Sequence, residues 1–154
     1  MTYTEKLVLF VKLWEGLKLK PSGDPLVPSV VDVGYGHVLP RAALQGPITE
    51  ATAEEWLRQD LDARAIELRY ELRTLYTAMR PYEFDAILSL LYNVGSHALS
   101  TSTMFGFLKA GRVFMAGSEF PRWDVASSKH IPGLLKRRFA EQSIFLCGDY
   151  TGKP

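Results

Sequence analysis

Apolar residues recur every three or four positions through most of the chain, and that period breaks down in one stretch near the start. Leu7, Val8, Phe10, Val11 and Trp14 follow Thr2-x-x-Glu5, a spacing in which a hydroxyl and a carboxylate can satisfy the backbone donors that a helix start leaves free; Gly16 suits the stop. From Leu17 to Leu39 the period vanishes. Pro21, Gly23, Pro25, Pro28, Gly34 and Gly36 punctuate short β-branched pieces such as Val30-Val31, which predicts a small hairpin sheet. After Pro47 the period returns. Thr52-x-x-Glu55 offers a second capping box, and Leu57, Leu61, Ala65, Leu68 and Leu72 form one stripe on a long helix. Pro81 suits a first helical position ahead of Phe84, Ile87, Leu88 and Leu91. The Ser100–Thr103 cluster caps a shorter helix through Phe105 and Leu108, and Pro132 opens a last helix carrying Leu135, Phe139 and Leu146 and closed by Gly148.

These elements predict an α+β fold, mainly helical, with a small antiparallel sheet and one long bridging helix. There is no repeat, low-complexity tract or long linker, and 154 residues suffice for one domain with its own core. The expected organisation is a single domain over 1–154: a sheet-containing lobe at about 15–50, a helical lobe from 1–14 and 74–154, and a joining helix near 52–73.

Charge removes several classes of partner. Eighteen basic and seventeen acidic side chains leave a net charge of +1, so no global field draws the chain to nucleic acid, and charged partners must be met by local patches. Cys147 is the one cysteine and has no internal disulfide partner. The longest uninterrupted apolar run, Leu7 to Val11, is far short of the ~20 residues of a membrane span, and no signal-peptide cleavage pattern follows it. The expectation is synthesis in the cytoplasm without stable membrane insertion.

The stretch that carries chemistry runs from Trp14-Glu15-Gly16 through Asp24 and Asp32 to Gly34-Tyr35-Gly36-His37. Glu15 falls at a helix end and the two aspartates in the Pro/Gly-rich loops beside it, so three carboxylates can converge on one cleft. Glycoside hydrolysis needs such a set: one carboxyl donates a proton to the leaving oxygen, and another stays ionised to stabilise the oxocarbenium-like transition state or to activate water.

At these residues the chain resembles the phage-type lysozymes of glycoside hydrolase family 24, whose pattern is Glu, eight residues, Asp or Cys, five residues, Thr, then Ile-Gly-Tyr-Gly-His. Here eight residues separate Glu15 from Asp24, and Asp32-Val33-Gly34-Tyr35-Gly36-His37 stands where the Thr-to-His segment would be. The likeness continues through Gly46-Pro47-Ile48-Thr49, Leu88 to Gly95, Ser102-Thr103, Phe120-Pro121-Arg122-Trp123 and Pro132 to Glu141. It implies a lysozyme-like fold and an endolysin that cuts the β-1,4 bond between N-acetylmuramic acid and N-acetylglucosamine, with Glu15 as acid and Asp24 as its ionised partner. It favours inversion. The chain departs from the pattern at the third position, with seven residues after Asp24 and then Asp32 in place of Thr. Either Asp24 and Asp32 divide charge stabilisation and water handling, or the insertion displaces Asp24 and Asp32 is the principal partner. Close like charges can also drive a proton onto Asp32 itself. The alternatives in reaction and function are a lytic transglycosylase and a wall-binding module with weakened catalysis.

The neighbouring residues have plainer expected roles. Gly34, Gly36 and His37 read as structural, and Tyr35 either stacks on a sugar or fills the core. Trp14 is expected to lower the polarity around Glu15. Lys136-Arg137-Arg138 reads as a solvated basic run at a helix end, open to a secondary part in attraction to an anionic wall. No cofactor or metal is expected. The partner is the peptidoglycan glycan strand, reached by a monomer from the host cytoplasm through a separate holin-like pore or another delivery system.

Overall fold

A computed structural model describes residues 2–23, 29–43, 46–126 and 128–154, with the side chains at 74, 76 and 77 outside the description. The chain is α+β and mainly helical. Helix α1 (Glu5–Glu15) leads into strands β1 (Lys18–Ser22), β2 (Val30–Gly34) and β3 (His37–Pro40), which pair antiparallel in the order β1-β2-β3. Helix α2 (Glu50–Leu72) then runs to a body made of α3 (Pro81–Val94), α4 (Ser96–Ser100), α5 (Thr103–Lys109), α6 (Val113–Ser118) and α7 (Pro132–Cys147). A two-residue ribbon, β4 (Val125–Ala126) with β5 (Lys129–His130), precedes α7.

The capping residues differ from those the sequence pattern suggests. Helix α1 is capped by Thr4, not Thr2: its hydroxyl accepts from the Leu7 N–H at 3.4 Å and donates to the Asp85 carboxylate. The contact with Asp85 on α3 favours Thr4 over the capping box at Thr2. Helix α2 is capped by Thr49, which accepts from the Thr52 N–H at 3.2 Å, so the helix begins earlier than the Thr52 box implies. Such a cap is worth about 1 kcal/mol. The buried stripe Ala53, Leu57, Leu61, Ala65, Leu68 and Leu72 outweighs it, because each fully buried leucine contributes about 1.5–3 kcal/mol.

Helix α3 is the centre of the body. Its stripe is not one-sided: every residue from Glu83 to Leu91 is buried, with α1, α2 and α7 packed around it. Helix α7 departs furthest from expectation. Phe139 is half-exposed, whereas Arg137, Arg138 and Glu141 are buried with Ala140, Ile144 and Phe145. The basic run is therefore not a solvated helix end for two of its three members. Gly148, in the left-handed region at φ 69°, ends α7 where the sequence places its stop.

In the sheet, Val31 and Val33 are buried and Asp32 lies on the opposite face, as strand alternation requires. Gly34 brings β2 close to α2: a Cβ there would stand 3.2 Å from the Ala53 Cβ.

Candidate active site

Glu15 is the last residue of α1, and the chain turns away at Gly16 with φ 70°. Its side chain remains 20% exposed. Oxygen Oε1 accepts from Arg137 Nη1 at 2.6 Å, and Oε2 faces Gly36, standing 3.8 Å from where a Cβ would project. The other side of that position is held by the Tyr92 hydroxyl, also at 3.8 Å, which donates to the Tyr35 carbonyl at 2.8 Å. Burial pushes the Tyr92 hydroxyl well above its ordinary value, with the Asp60 and Glu15 carboxylates adding to the shift, so it remains an O–H donor at neutral pH. Residues from α1, the β2–β3 turn, α3 and α7 thus meet around one carboxyl.

Arg137 connects that carboxyl to the interior. Its Nε donates to Glu141 Oε1 at 3.1 Å, and the same oxygen accepts from the Ser89 hydroxyl at 2.7 Å. Arg138 Nε faces Glu141 Oε2 at 3.2 Å, and its Nη2 donates to Asn93 at 2.8 Å. Two guanidinium groups and two carboxylates balance in charge, and only Glu15 reaches the surface. A buried ionic cluster of this kind adds little net stability, since desolvation offsets attraction, but its fixed geometry holds the Glu15 carboxyl in one place. Trp14, the neighbour expected to condition Glu15, instead packs its ring on Phe10 at 5.9 Å between centroids. Sequence reading missed Arg137, although its i,i+4 spacing to Glu141 and that of Arg138 at i,i+3 are signals of paired rather than solvated charge.

Asp32 sits apart from this cluster among its own partners. An irregularity in the β1–β2 register places both Lys18 and Ser22 over β2, and the Lys18 ammonium and the Ser22 hydroxyl both donate to the Asp32 carboxylate. Burial raises the Asp32 pKa, but the bonds from Lys18 and Ser22 more than offset it and hold the carboxyl below its ordinary value. The bonds from Lys18 and Ser22 thus favour the ionised form of Asp32. Asp24 lies outside the described residues.

Tyr35 is in the core at 4% exposure, its hydroxyl 3.4 Å from Glu50 and its ring under the Lys12 ammonium, so the ring does not present a face to a sugar. His37 donates or accepts through Nδ1 at 2.8 Å from Asp60 and lies against Trp56, 4.8 Å between ring centroids. Beside Gly36 opens a groove of about 420 Å³ walled by Val38, Asp60, Arg64, Glu67 and Tyr92. Among the described residues no cluster of three or more His, Cys, Asp or Glu could hold a metal ion.

The family described as phage lysozyme matches residues 12–141, which include Glu15, Arg137 and the Gly34–Gly36 turn. The chain belongs to the phage lysozyme family. Among curated relatives of this family, the endolysin of Bacillus phage PZA is 33% identical over 96% of this chain and 56% of its own length. The endolysin of Acyrthosiphon pisum secondary endosymbiont phage 1 is 33% identical over 94% of this chain and 98% of its own. The chain spans about half the length of the first of these and nearly all of the second. Two solved structures share the fold at TM-score 0.82. An endolysin from Escherichia coli O157:H7 phage FAHEc1 is 25% identical, covering 97% of this chain and 96% of that one, and the muramidase domain of SpmX from Asticaccaulis excentricus is 27% identical, covering 94% and 97%. The lysozyme-like fold expected from the sequence is therefore borne out.

Proposed function

We infer that this chain is a peptidoglycan hydrolase, an endolysin-type muramidase cutting the β-1,4 bond between N-acetylmuramic acid and N-acetylglucosamine. The observation that carries this reading is the divided Glu15 carboxyl in a chain of the phage lysozyme family: Arg137 holds Oε1, while Oε2 stands 3.8 Å from where a Cβ on Gly36 would project, and Gly36 borders the groove. A proton on Oε2 is the one a glycosidic oxygen can receive. Once it is given up, the carboxylate left behind already has a guanidinium beside it, so the product state needs no rearrangement.

Asp32, kept ionised by Lys18 and Ser22, is suited to take a proton from water or to stabilise the positively charged sugar, and Asp24 is its candidate partner in the same work. With a water-activating base the outcome is inversion. The sheet region of 15–50 and the helical body of 74–154 then act as the two walls of the cleft, joined by α2. The reading includes a monomer that accumulates in the host cytoplasm and reaches the wall through a separate holin-like pore; among the described residues no helix is long and apolar enough to cross a membrane.

The test is clearing of permeabilised Gram-negative cells together with mass spectrometry of the released fragments. Reducing muramic acid ends are expected, with Glu15→Gln lysing at least about a hundredfold more slowly, the usual scale for removing a general acid. Fragments ending only in 1,6-anhydromuramic acid would identify a lytic transglycosylase instead, and equal lysis by Glu15→Gln would leave the family fold with a wall-binding role. Expression in growing cells with and without a pore-forming partner tests the route: lysis without one would refute the cytoplasmic hold.

A further inference from the structure

The groove beside Gly36 has a wall whose chemistry the hydrolysis of a neutral glycan chain does not use. Asp60, Arg64 and Glu67 project from one face of α2, at spacings of four and three residues. Arg64 Nη1 donates to both carboxylate oxygens of Glu67, at 3.2 and 2.9 Å, and lies 3.3 Å from the Ser96 hydroxyl. Ser96 also donates to Glu67. The Ser96 bond is the largest influence on Glu67 and lowers its pKa, burial raises it, and Arg64 lowers it further, leaving the group ionised. Among the described residues, all hydrogen bonds from Arg64 run through Nη1, so the rest of its donor fork is open for a planar anion. The side chains of Arg64 and Glu67 are each about two-fifths exposed, at 40% and 43%.

Arg64, paired with Glu67, and Asp60, whose Oδ2 lies 2.8 Å from His37 Nδ1, line the same groove and offer both signs to a ligand that carries both signs close together. A carboxylate would take the open edge of Arg64, and an ammonium on the same carbon would lie toward Asp60 or Glu67. In the reading of this chain as a peptidoglycan hydrolase, on which the inference rests, such a head group is at hand in the stem peptide attached to muramic acid. The side-chain terminus of an uncrosslinked diaminopimelate residue carries an ammonium and a carboxylate on one carbon; a lysine at that position carries the ammonium alone. We propose that Asp60, Arg64 and Glu67 form a subsite for the zwitterionic end of a diaminopimelate stem peptide, with Arg64 as the residue that distinguishes it from a lysine stem. The Ser96 hydroxyl anchors Glu67 so that Arg64 is held against the wall and not free to fold over the groove.

The experiment is calorimetric binding of two purified disaccharide tripeptides, identical except for diaminopimelate or lysine at the third residue, to the full chain and to Arg64→Gln. These are products of the reaction, so binding is read without turnover. The full chain is expected to bind the diaminopimelate form about tenfold more tightly, the scale of one charge-assisted hydrogen bond, and Arg64→Gln is expected to bind the two alike. Arg64→Lys, which keeps the charge and loses the fork, should fall between. Equal binding of both peptides by the full chain, no binding of either, or an unchanged preference in a folded Arg64→Gln overturns the subsite. Loss of wall cleavage is a separate result: a chain that keeps the preference but releases no fragments refutes the hydrolase reading and leaves the subsite standing.

Discussion

Arg137 Nη1 and Glu15 Oε1 are 2.6 Å apart and 122 positions apart in sequence. The placement of the Glu15 carboxyl therefore depends on α7 as much as on its own helix. Replacing Arg137 by Met leaves Glu141 buried with one fewer cationic partner, and loss of one member of a buried ionic group costs about 3 kcal/mol or more. The expected result is a clear fall in melting temperature and a loss of lytic rate that exceeds what unfolding accounts for when both are measured at a temperature where the variant is folded. Arg137→Lys should keep more of the stability than of the activity, since an ammonium cannot reach Glu15 and Glu141 together.

The pH dependence of activity should carry the mark of Lys18. An Asp32 held below its ordinary value stays ionised as pH falls, so the acid limb of kcat/KM lies below the ~3.9 of a free aspartate if Asp32 is the base. Lys18→Met removes the ammonium and should move that limb upward. The same sign holds for stability: the contribution of the cluster is present at neutral pH and is lost as pH falls through the depressed folded value. If Lys18→Met leaves the limb in place, Asp32 is not the titrating base, and undiminished activity in Asp32→Thr would likewise remove it from that role.

Asp85 titrates in the opposite sense. It is fully buried, and burial raises its pKa despite bonds from the Thr4 N–H, the Thr4 hydroxyl and the Tyr150 hydroxyl, the last at 2.6 Å. For an acid with a raised folded value, stability is greatest where the group is protonated and declines as pH climbs from the unfolded value through the folded one. Asp85→Asn should flatten that decline in a series of melting curves across acidic pH. Asp85→Ala, which strands three donors, should cost about 2 kcal/mol where Asp85 is protonated, and the difference should shrink as pH rises through the folded value.

Gly36→Ala separates strain from obstruction. Its Cβ would make ordinary contacts at 3.8 Å with Glu15 and Tyr92, but φ is +93°. The backbone cost is about 1–3 kcal/mol and should show in thermal melting. The added methyl also stands in front of Oε2, so KM or kcat should worsen even well below the melting transition; unchanged kinetics would mean that substrate does not approach the acid from this side.

Local pattern reveals those parts of the fold in which one face of an element meets one neighbour. The α2 stripe is of this kind, and each of its leucines is buried as the period requires. On α7 the same rule misleads, because what lies opposite is an ionic cluster built by α1 and α3: Arg138 goes inside while Phe139 stays half in water. At the site, the sequence motif points to Glu15 and the glycine turn, whose spacing is local. Arg137 and Tyr92 come from separate elements far along the chain and have no mutual spacing to read, and the wall of Asp60, Arg64 and Glu67 has its own helical spacing but nothing local that ties it to the glycine turn. The Lys18–Asp32 pair lies between these cases, since a register irregularity, invisible in composition, brings Lys18 and Ser22 to one carboxylate.

The bond from Tyr150 to Asp85 completes a tie that runs through both ends of one helix. The cap of α1 at Thr4 rests on a carboxylate, 81 positions away, that Tyr150 also holds, and Glu15 at the other end of α1 is held by an arginine 122 positions away on α7. Contacts between such distant positions form late, because the closure entropy of the intervening chain must be met first. Helix α1 is thus fastened at both ends by the far side of the chain, and the Glu15 carboxyl gains its fixed place only when the whole body has folded.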